Sequence, residues 1–390
     1  MNQKQFTLLL ALLLVLGAAA WWHSRIRSAA WVPSAGATPG APLLGNFQVN
    51  DVSRIRILDR TNALDLHKVN GIWAVAQRSD YPADFSKISR FLIKLRDLKI
   101  VQAEPVTPEQ LPQLDLAPPG QGTNSATLLA FYDAAGKPLR VLRLGSPHLH
   151  QSSGFQSDNW PDGRYVLTAS NATSVAIITD PLSDAGTAPQ SWLDKSFFTI
   201  RNPNSISARF PNPTNSWKVT RPGPANSWAL ADAKPGEKLD PSQVSSVAYG
   251  ISSPSFDDAF PALTGVWSHP ARVVVTTTNG FHYAITIGNK TNEAYYVKVQ
   301  TSFTAPPAPA AGGKETPAQI AAAQKAYTAS LKTLRDQFQQ DTALARWTYL
   351  VPEWTIQPLL KHRFQLLLPN PKPAATKLPP VPAEKGSAGK

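Results

Sequence analysis

Two stretches of this chain, about 155 residues apart, carry the same sequence features in the same order. The first, GIWAVAQRSDYPADFSKI, covers residues 71–88, and the second, NSWALADAKPGEKLDPSQV, covers residues 226–244. In each stretch a tryptophan (Trp73 or Trp228) lies in a short apolar run, and an aspartate then precedes a helical pattern. A repeat this long predicts two similar units rather than a solenoid of small repeats.

The sequence of the first copy predicts a β-hairpin followed by a capped helix. Asn70-Gly71 is a strong β-hairpin signal, which places Trp73 on the second arm of a hairpin. Asp84 is a predicted N-cap, because its side chain can accept bonds from free backbone N–H groups. The helix that follows has an apolar stripe formed by Ile88, Phe91, Leu92 and Leu95. Its opposite face, with Lys87, Arg90 and Lys94, is predicted to be solvated.

Strand patterns occur in the same order in both halves of the chain. The first half has VSRIRIL, SATLLAFYD, PLRVLRLG and GRYVLTA, and the second has SISARFP, ARVVVTTTNGFHYAITIG and AYYVKVQ. Gly145 and Gly288 end equivalent strands in this alignment. The predicted fold class is therefore α+β, a tandem duplication of a mainly antiparallel sheet unit with packed helices, plus an N-terminal transmembrane helix.

The N-terminal segment FTLLLALLLVLGAAAWW, residues 6–22, contains no charged residue. As a helix it would be about 25 Å long, at the short end of what crosses a bilayer. We favour an uncleaved membrane anchor, with Trp21 and Trp22 at the membrane interface. A signal peptide cleaved after the alanines at 18–20 is the alternative, and both interpretations place the body outside the cytoplasm.

Composition narrows the classes of protein that this chain can belong to. Its 390 residues suffice for two domains, and 36 prolines with only 16% charged residues favour short elements joined by turns. The absence of cysteine excludes disulfides, thiolate metal sites and cysteine nucleophiles. The net charge is +12, but lysine and arginine form no dense run, so nucleic-acid binding is not predicted.

Two segments lie outside the repeat. Residues 318–346 predict a long helix with a near-heptad apolar pattern, for which packing on its own body is favoured over a partner coiled coil. Residues 369–390 are rich in proline and lysine and predict a disordered tail. The predicted organisation is an anchor or signal peptide (1–27), a linker (28–45), a first repeat (46–185), a second repeat (186–303), an inserted helix with a closing segment (304–368) and the tail.

Standard catalytic motifs are absent from the sequence, including phosphate-binding loops, nucleophile elbows and His-Glu-x-x-His. The nearest approach to a metal site is His148-x-His150, with Asp158 and Asp162 in the same polar loop. Exposed loop histidines are the simpler interpretation of this pattern. The pair Asp257-Asp258 is interpreted as a turn or cap rather than as an acid/base pair. We therefore predict no catalytic residue, no metal ligand and no cofactor.

The tryptophans admit several interpretations. Equivalent positions in the repeat predict core packing for Trp73 and Trp228. Trp347 and Trp354 are predicted to help dock the closing segment. A sugar-stacking platform is an alternative role for three further tryptophans, namely Trp160, Trp217 and Trp267.

The order of several short motifs resembles that of a known family. These motifs are a W-x-V pattern followed by YPAD, a helix, LRLG, GRYVL and the closing WTYLVPEWTIQPLLKHRFQLL. Over residues 47–368 they resemble the bacterial domain-of-unknown-function family 4340. The resemblance implies a protein anchored by one N-terminal helix, without established catalytic residues, often encoded beside gliding-motility-type ABC-transporter components.

These features together predict a non-enzymatic accessory or scaffold protein of an ABC-transporter-type membrane complex. The expected location is the inner membrane, with a single pass and the body facing the periplasm. Its partners would be the membrane and other subunits of the complex. An exported cell-envelope glycan-binding module is the alternative function, and an envelope hydrolase based on His148 and His150 is a third.

Overall fold

The protein is an α+β structure with two large antiparallel sheets and few helices. The computed structural model describes residues 38–149, 161–168, 174–223, 225–309 and 316–369. The described residues divide into two compact units, the first formed by those up to Ser196 with Asp258–Pro261, and the second by those in Phe197–Asp257 with those from Ala262 onward. The predicted α+β class with mainly antiparallel sheets is confirmed.

The first unit contains a nine-stranded sheet and helix α1 (Phe85–Asp97). Its strands are β1 (Arg54–Leu58), β2 (Ala63–Val69), β3 (Ile72–Val75), β4 (Tyr81–Pro82), β5 (Gln102–Pro105), β6 (Thr127–Tyr132), β7 (Pro138–Leu149), β8 (Pro161–Leu167) and β9 (Ser174–Ile178). They lie in the order β4-β3-β2-β1-β6-β7-β8-β9-β5, and neighbouring strands are antiparallel.

The local predictions for this unit are confirmed. Asn70 and Gly71 have φ angles of 51° and 82°, as a tight turn between β2 and β3 requires. The carboxylate of Asp84 accepts a bond from the backbone N–H of Lys87 and caps α1. All four predicted stripe residues of α1 are buried. The opposite face is less solvated than predicted, because Lys87 donates to the carbonyl of Ser191.

The second half of the chain supplies eight strands and three α-helices. The strands are β10 (Pro203–Arg209), β11 (Trp217–Thr220), β12 (Ala229–Leu230), β13 (Asp258–Phe260), β14 (Ala271–Thr277), β15 (Phe281–Thr291), β16 (Ala294–Phe303) and β17 (Thr348–Pro352). The helices are α2 (Pro241–Ser252), α3 (Pro317–Leu344) and α4 (Glu353–Ile356). Strand β13 belongs to the first unit, and the others lie in the order β12-β11-β10-β14-β15-β16-β17.

The two sheets share this strand order. The order β3-β2-β1-β6-β7-β8-β9 in the first unit corresponds strand by strand to β12-β11-β10-β14-β15-β16-β17 in the second. Helix α1 follows β4, and α2 follows β12, so each helix lies at a similar point in the chain order. Each helix also begins after a capping aspartate, Asp84 or Asp240.

Gly145 in β7 and Gly288 in β15 have the same close contact in their respective units. A Cβ at Gly145 would lie 2.3 Å from the carbonyl oxygen of Leu114, and one at Gly288 would lie 2.4 Å from that of Val266. Real Cβ atoms essentially never come this close to another atom. Both positions therefore need glycine because a preceding loop crosses the strand there.

Helix α3 is capped at its start by Thr316 and Gln319, which form a capping box. Its N-terminal turns, through residue 326, are exposed, and its contact with the second unit comes from the later turns. Asp341 is its buried residue, and Asp341 Oδ2 accepts a 2.8 Å bond from the hydroxyl of Tyr283 on β15. A polar contact therefore attaches this helix beside the sheet.

One predicted loop is partly strand. Residues 146–149 continue β7 and residues 161–162 begin β8, where a polar loop was expected. The β7–β8 register shifts between Leu144 and Pro147, and such an irregularity accommodates a proline, which has no N–H to donate to the ladder. Sequence alternation alone does not show such a bulge.

The predicted anchor, residues 1–27, lies outside the described residues, as do residues 28–37 of the linker and residues 370–390 of the tail. Among the residues that the structure does describe, none of the helices combines the length and apolar character needed to span a bilayer.

Candidate functional site

The predicted histidine site is described only in part. His148 Nδ1 and Asp162 Oδ1 are 2.6 Å apart across β7 and β8, and the ring of His148 packs edge-on against Tyr165. His150 and Asp158 lie outside the described residues. Within the described ranges, no three His, Cys, Asp or Glu side chains come together as metal ligands could. The pair can exchange a proton or orient the imidazole, but its geometry defines no substrate position.

The two residues of the acidic pair Asp257-Asp258 have different surroundings. Asp258 accepts two bonds of 2.7 Å from the guanidinium of Arg78, in addition to one from the backbone N–H of Ala259. This bidentate ion pair is a structural contact within the first unit. Asp257 instead lines a groove in the second unit.

The tryptophans suggested as a sugar platform do not form one in the described structure. Trp217 is buried, and its Nε1 donates to the carbonyl of Lys361 at 2.7 Å. Trp267 is half-buried and donates to the carbonyl of Leu263. Trp160 lies outside the described residues. The interpretation of Trp217 as an exposed stacking surface is wrong, because its indole completes the core.

The two tryptophans of the repeat differ in their surroundings. Trp73 is 5% exposed and pairs with Lys68 in the β2–β3 ladder. Trp228 is half-buried, with the guanidinium of Arg221 4.5 Å from its ring centre. The prediction of core packing is confirmed for Trp73 and wrong for Trp228. Strand β12 pairs over only two residues, so Trp228 precedes the ladder that would hold it against the core.

A large concave surface lies in the second unit, at one end of β15, β16 and β17. It is an open groove of about 1100 Å³. We call it the Trp354 groove. Its lining consists of Asp257, Thr291, Asn292, Glu293, Ala294, Tyr296, Leu350, Pro352, Glu353, Trp354 and Gln357.

Local geometry explains why Trp354 faces this groove. Asn292, with a φ of 48°, forms the tight β15–β16 turn with Glu293, and the carbonyl of Glu293 accepts a bond from the N–H of Glu353. Helix α4 then buries Thr355 and Ile356. The indole of Trp354 is directed away from that buried side and is 65% exposed.

The predicted docking role of the two late tryptophans is thus confirmed for Trp347, which is buried, and wrong for Trp354. The local sequence contains one signal for the exposure of Trp354, because this residue immediately precedes a buried Thr-Ile pair in a single helical turn. Adjacent residues on a helix face different directions, so the three side chains cannot all be buried against one surface.

Carboxylates dominate the charge of the groove. Asp257, Glu293 and Glu353 line it, and Lys290 Nζ forms bonds of 2.7 and 2.8 Å with the carboxylate of Glu353. The hydrogen bond to Glu353 raises the pKa of Lys290, and the charge of Glu293 acts in the same direction. An exposed indole beside carboxylates suits a cationic ligand, because a cation is attracted both to the ring face and to the charges.

A second surface lies on the first unit. Val69 and Ile72 are direct cross-strand partners beside the β2–β3 turn, so their side chains share one face of the hairpin. They are 37% and 64% exposed. We call Val69 and Ile72 the hairpin surface. Phe85, which is 65% exposed, begins α1 and is a separate exposed apolar side chain.

Comparison with known proteins identifies a family and leaves the function open. Neither the curated proteins nor the solved structures contain a match to this chain. The model of a family described as "Domain of unknown function (DUF4340)" matches residues 73–260, which is shorter than the predicted extent of the resemblance. The match covers α1, β3–β9 and the start of the second unit, and it ends before β15, α3 and α4. Residues 73–260 therefore match the model of the DUF4340 family, the family that the order of the sequence motifs predicts.

Proposed function

We propose that the protein is a non-enzymatic accessory or scaffold protein, held at the membrane through residues 1–27, whose body recruits a partner subunit outside the cytoplasm. The observation that carries this proposal is the hairpin surface. Two apolar side chains, Val69 and Ile72, are exposed there side by side beside a well-packed core. Covering apolar surface releases about 25 cal/mol per Å², so a protein partner would stabilise this region on binding.

The partner class comes from the sequence rather than from the site. A resemblance to the DUF4340 family implies a membrane complex of the ABC-transporter type, and the uncharged run at residues 6–22 supports attachment to the inner membrane with the body in the periplasm. A cleaved signal peptide would place the same body in the same compartment without attachment.

We also infer that the two units arose by tandem duplication. Their common strand order, the matched capping aspartates and the equivalent loop crossings at Gly145 and Gly288 support this origin. Common descent explains both crossings by one event. Each crossing requires glycine at a single position, and neither the sheet topology nor the apolar periodicity requires that glycine.

The scaffold function can be tested by capturing the partner. A photo-cross-linking amino acid at position 72 in the full-length chain should give one cross-linked membrane protein, identified by mass spectrometry as a transporter subunit. Ile72→Asp combined with Val69→Asp should abolish co-purification of that subunit from mild detergent. Ile93→Asp is the matched control, because Ile93 is exposed on α1 outside the hairpin surface.

Retention of the subunit by the double variant would refute the proposed role of the hairpin surface. The attachment is tested separately by carbonate washing of membranes, which should leave the full-length chain in the pellet. A mature N-terminus near residue 21 would instead establish the cleaved signal peptide.

A cell-envelope glycan-binding module remains the second candidate function. It is favoured by one observation, the exposed indole of Trp354 in an open groove. A hydrolase is less well supported, since its structural basis is the pair His148 and Asp162. The scaffold is preferred because Val69 and Ile72 form a paired apolar patch, whereas Trp354 is a single exposed indole. The matched family segment, residues 73–260, includes none of these three residues.

A further inference from the structure

We propose that the outer face of the sheet in the second unit is a contact surface for the phosphate groups of an anionic phospholipid bilayer. We call it the basic face, and its cations are Arg209, Lys218, Arg272 and Lys298. The proposal rests on the proposed attachment to the membrane and deepens it, because it adds a second contact between the attached chain and the bilayer.

Strand alternation places these cations on one side of the sheet. In β14 the residues at positions 271, 273 and 275 are buried, whereas Arg272 between them is exposed. Arg209 and Lys218 are likewise the exposed neighbours of buried residues on β10 and β11, and Lys298 lies between two buried valines on β16. Because successive side chains of a strand point to opposite faces, the four cations lie on the face that is turned away from the core.

The register of the ladders brings three of the cations into one row. Arg209 on β10 is the cross-strand partner of Arg272 on β14. Across β15, Thr286 is the partner of both Arg272 and Lys298. Neighbouring strands lie about 4.8 Å apart, so this row extends over about 14 Å. The cations are therefore spread across an open sheet rather than gathered around one point.

The sheet itself contains no carboxylate that could offset these charges. Within the bounds given above, strands β10–β12 and β14–β17 have no aspartate or glutamate. None of the four cations forms an ion pair with any residue that the structure describes. Asp232 lies beside the basic face, but its carboxylate already accepts two bonds of 3.0 Å from the guanidinium of Arg363.

The sheet of the first unit balances its corresponding charges. Arg54 and Arg56 lie on β1, which corresponds to β10, and both form ion pairs with Asp65 on β2. Strand β11 corresponds to β2, and its exposed charged residue is Lys218 rather than an aspartate. The fold can therefore accommodate a neutralising carboxylate at this place, and the second sheet has a further cation there instead.

The pair formed by Arg209 and Arg272 favours a bound anion. Directly opposite residues of a sheet have Cβ atoms about 5 Å apart, and like charges at this distance are destabilising. A phosphate group between the two guanidinium groups would remove the repulsion, since arginine binds phosphate through two parallel hydrogen bonds. Ser205 and Ser207, with Lys218, line a depression of about 440 Å³ on the same face, where further phosphate oxygens can accept hydrogen bonds.

The number and spread of the cations favour a bilayer over a single small anion. Each lysine or arginine near an anionic bilayer strengthens binding about fivefold, so four of them give a dissociation constant of about 1 mM. Such a contact is too weak to recruit a free protein. A chain that is already attached meets the bilayer at an effective concentration of about 1 mM, so the basic face would be bound in about half of the molecules.

The test uses the full-length chain reconstituted in lipid nanodiscs of two compositions. The neutral disc is phosphatidylcholine, and the anionic disc contains equal parts of phosphatidylcholine and phosphatidylglycerol. Amine acetylation followed by mass spectrometry measures how fast each lysine reacts. We expect Lys218 and Lys298 to react about twofold more slowly on the anionic disc, and high salt should abolish the difference because it screens exposed charges. Lys325 and Lys332 are exposed on α3 and should react equally on both discs.

Variants make the test specific to the basic face. Arg209→Gln combined with Arg272→Gln leaves both reporter lysines in place and should weaken the contact about thirtyfold. Lys218 and Lys298 should then react equally fast on the two discs. Lys325→Gln with Lys332→Gln is the matched control, because it removes the same charge from α3 and should leave the twofold protection unchanged. The high-salt measurement on the wild-type chain gives the same answer without any substitution.

Three results would overturn the proposal. Equal reactivity of Lys218 and Lys298 on the two discs would mean that the basic face does not contact headgroups. Equal slowing of the α3 lysines would assign the effect to the general surface potential of the bilayer. Protection of Lys218 and Lys298 on the neutral disc by inorganic phosphate or by a soluble anionic polysaccharide, without protection by the anionic disc, would make a soluble anion the occupant.

Failure of the attachment itself gives a different result, since the chain would then not stay with the neutral disc. In that case, co-sedimentation of the same chain with phosphatidylglycerol vesicles tests the basic face alone. Binding that is lost in the double arginine variant would support the contact, and binding that is absent or unchanged in that variant would refute it.

Discussion

The two units share the order of seven strands but differ in how the last two are connected. In the first unit a short connection, residues 168–173, joins β8 to β9, whereas in the second a connection of more than forty residues joins β16 to β17 and contains α3. The strand order of the two sheets is the same despite this difference in connection. A long insertion is tolerated at such a connection because closing a longer loop costs little additional entropy.

The second unit also shows which contacts hold such an inserted helix beside the sheet. Helix α3 does not bury a wide apolar stripe, and its early turns are exposed. It is held near its end by Asp341 and Tyr283, with Gln337 Nε2 3.3 Å from the same hydroxyl. The core strands thus have the same order in both units, while polar contacts and a ring contact between Phe338 and Phe303 attach the added helix.

The largest expected contrast between the units concerns their equivalent tryptophans. Trp73→Ala should lower the free energy of unfolding by about 3–5 kcal/mol, because it empties a buried site. Trp228→Ala should cost about 1 kcal/mol or less, since it removes a half-buried ring and a cation–π contact with Arg221. Urea unfolding of the full-length variants measures both, and equal losses would mean that Trp228 also belongs to a core.

A smaller effect tests the equivalence of the loop crossings. Gly145→Ala and Gly288→Ala should each destabilise the protein by about 1–3 kcal/mol, because the added methyl group collides with a backbone carbonyl. The matched control is Gly186→Ala, where the added methyl meets open space and the effect should be neutral or stabilising by about 0.5 kcal/mol. Thermal unfolding monitored by circular dichroism suffices. A tolerated Gly288→Ala would show that the two crossings are not equivalent.

The smallest effect concerns pH and the helix that only the second unit has. Burial raises the pKa of Asp341, although the hydrogen bond from Tyr283 acts in the opposite direction. The folded protein therefore binds this proton more tightly than the unfolded chain does. The free energy of unfolding should fall as pH rises from 3.8, the ordinary aspartate value, through the raised folded pKa.

Asp341→Asn removes this titration while an amide oxygen can still accept the bond from Tyr283. We expect the variant to lose this contribution to the pH dependence and to exceed the wild type in stability above the raised pKa. Hydrogen exchange of residues 327–344 at several pH values measures the attachment of α3. Asp336→Asn, on the exposed side of the same helix, is the control. An unchanged pH profile in Asp341→Asn would assign the dependence to other groups.

Features with strong local signals could be predicted from the sequence. The Asn70-Gly71 turn, the Asp84 cap and the stripe of α1 are each determined by neighbouring residues, and all three are confirmed. The long helix was predicted at 318–346 and occurs at Pro317–Leu344. The order of the repeated strands was visible because apolar alternation has a defined period.

Features that depend on tertiary contacts could not be predicted. Strand β7 continues past Pro147 because of a register shift, and no local sequence pattern predicts that shift. Trp354 is exposed because its neighbours in α4 occupy the buried side of the helix. The hydrophobicity of tryptophan alone would predict a buried side chain. The groove combines Asp257 with residues 291–357, so its members are distant in the sequence.

The corresponding edges of both sheets share a feature with consequences for solubility. Strand β4 and strand β12 each contribute only two residues at the end of a sheet, and β4 ends in a proline. An edge this short offers few free N–H and C=O groups, and a proline removes one donor. At these two edges, copies of the chain cannot readily add strands to one another, which protects the folded protein against edge-to-edge aggregation.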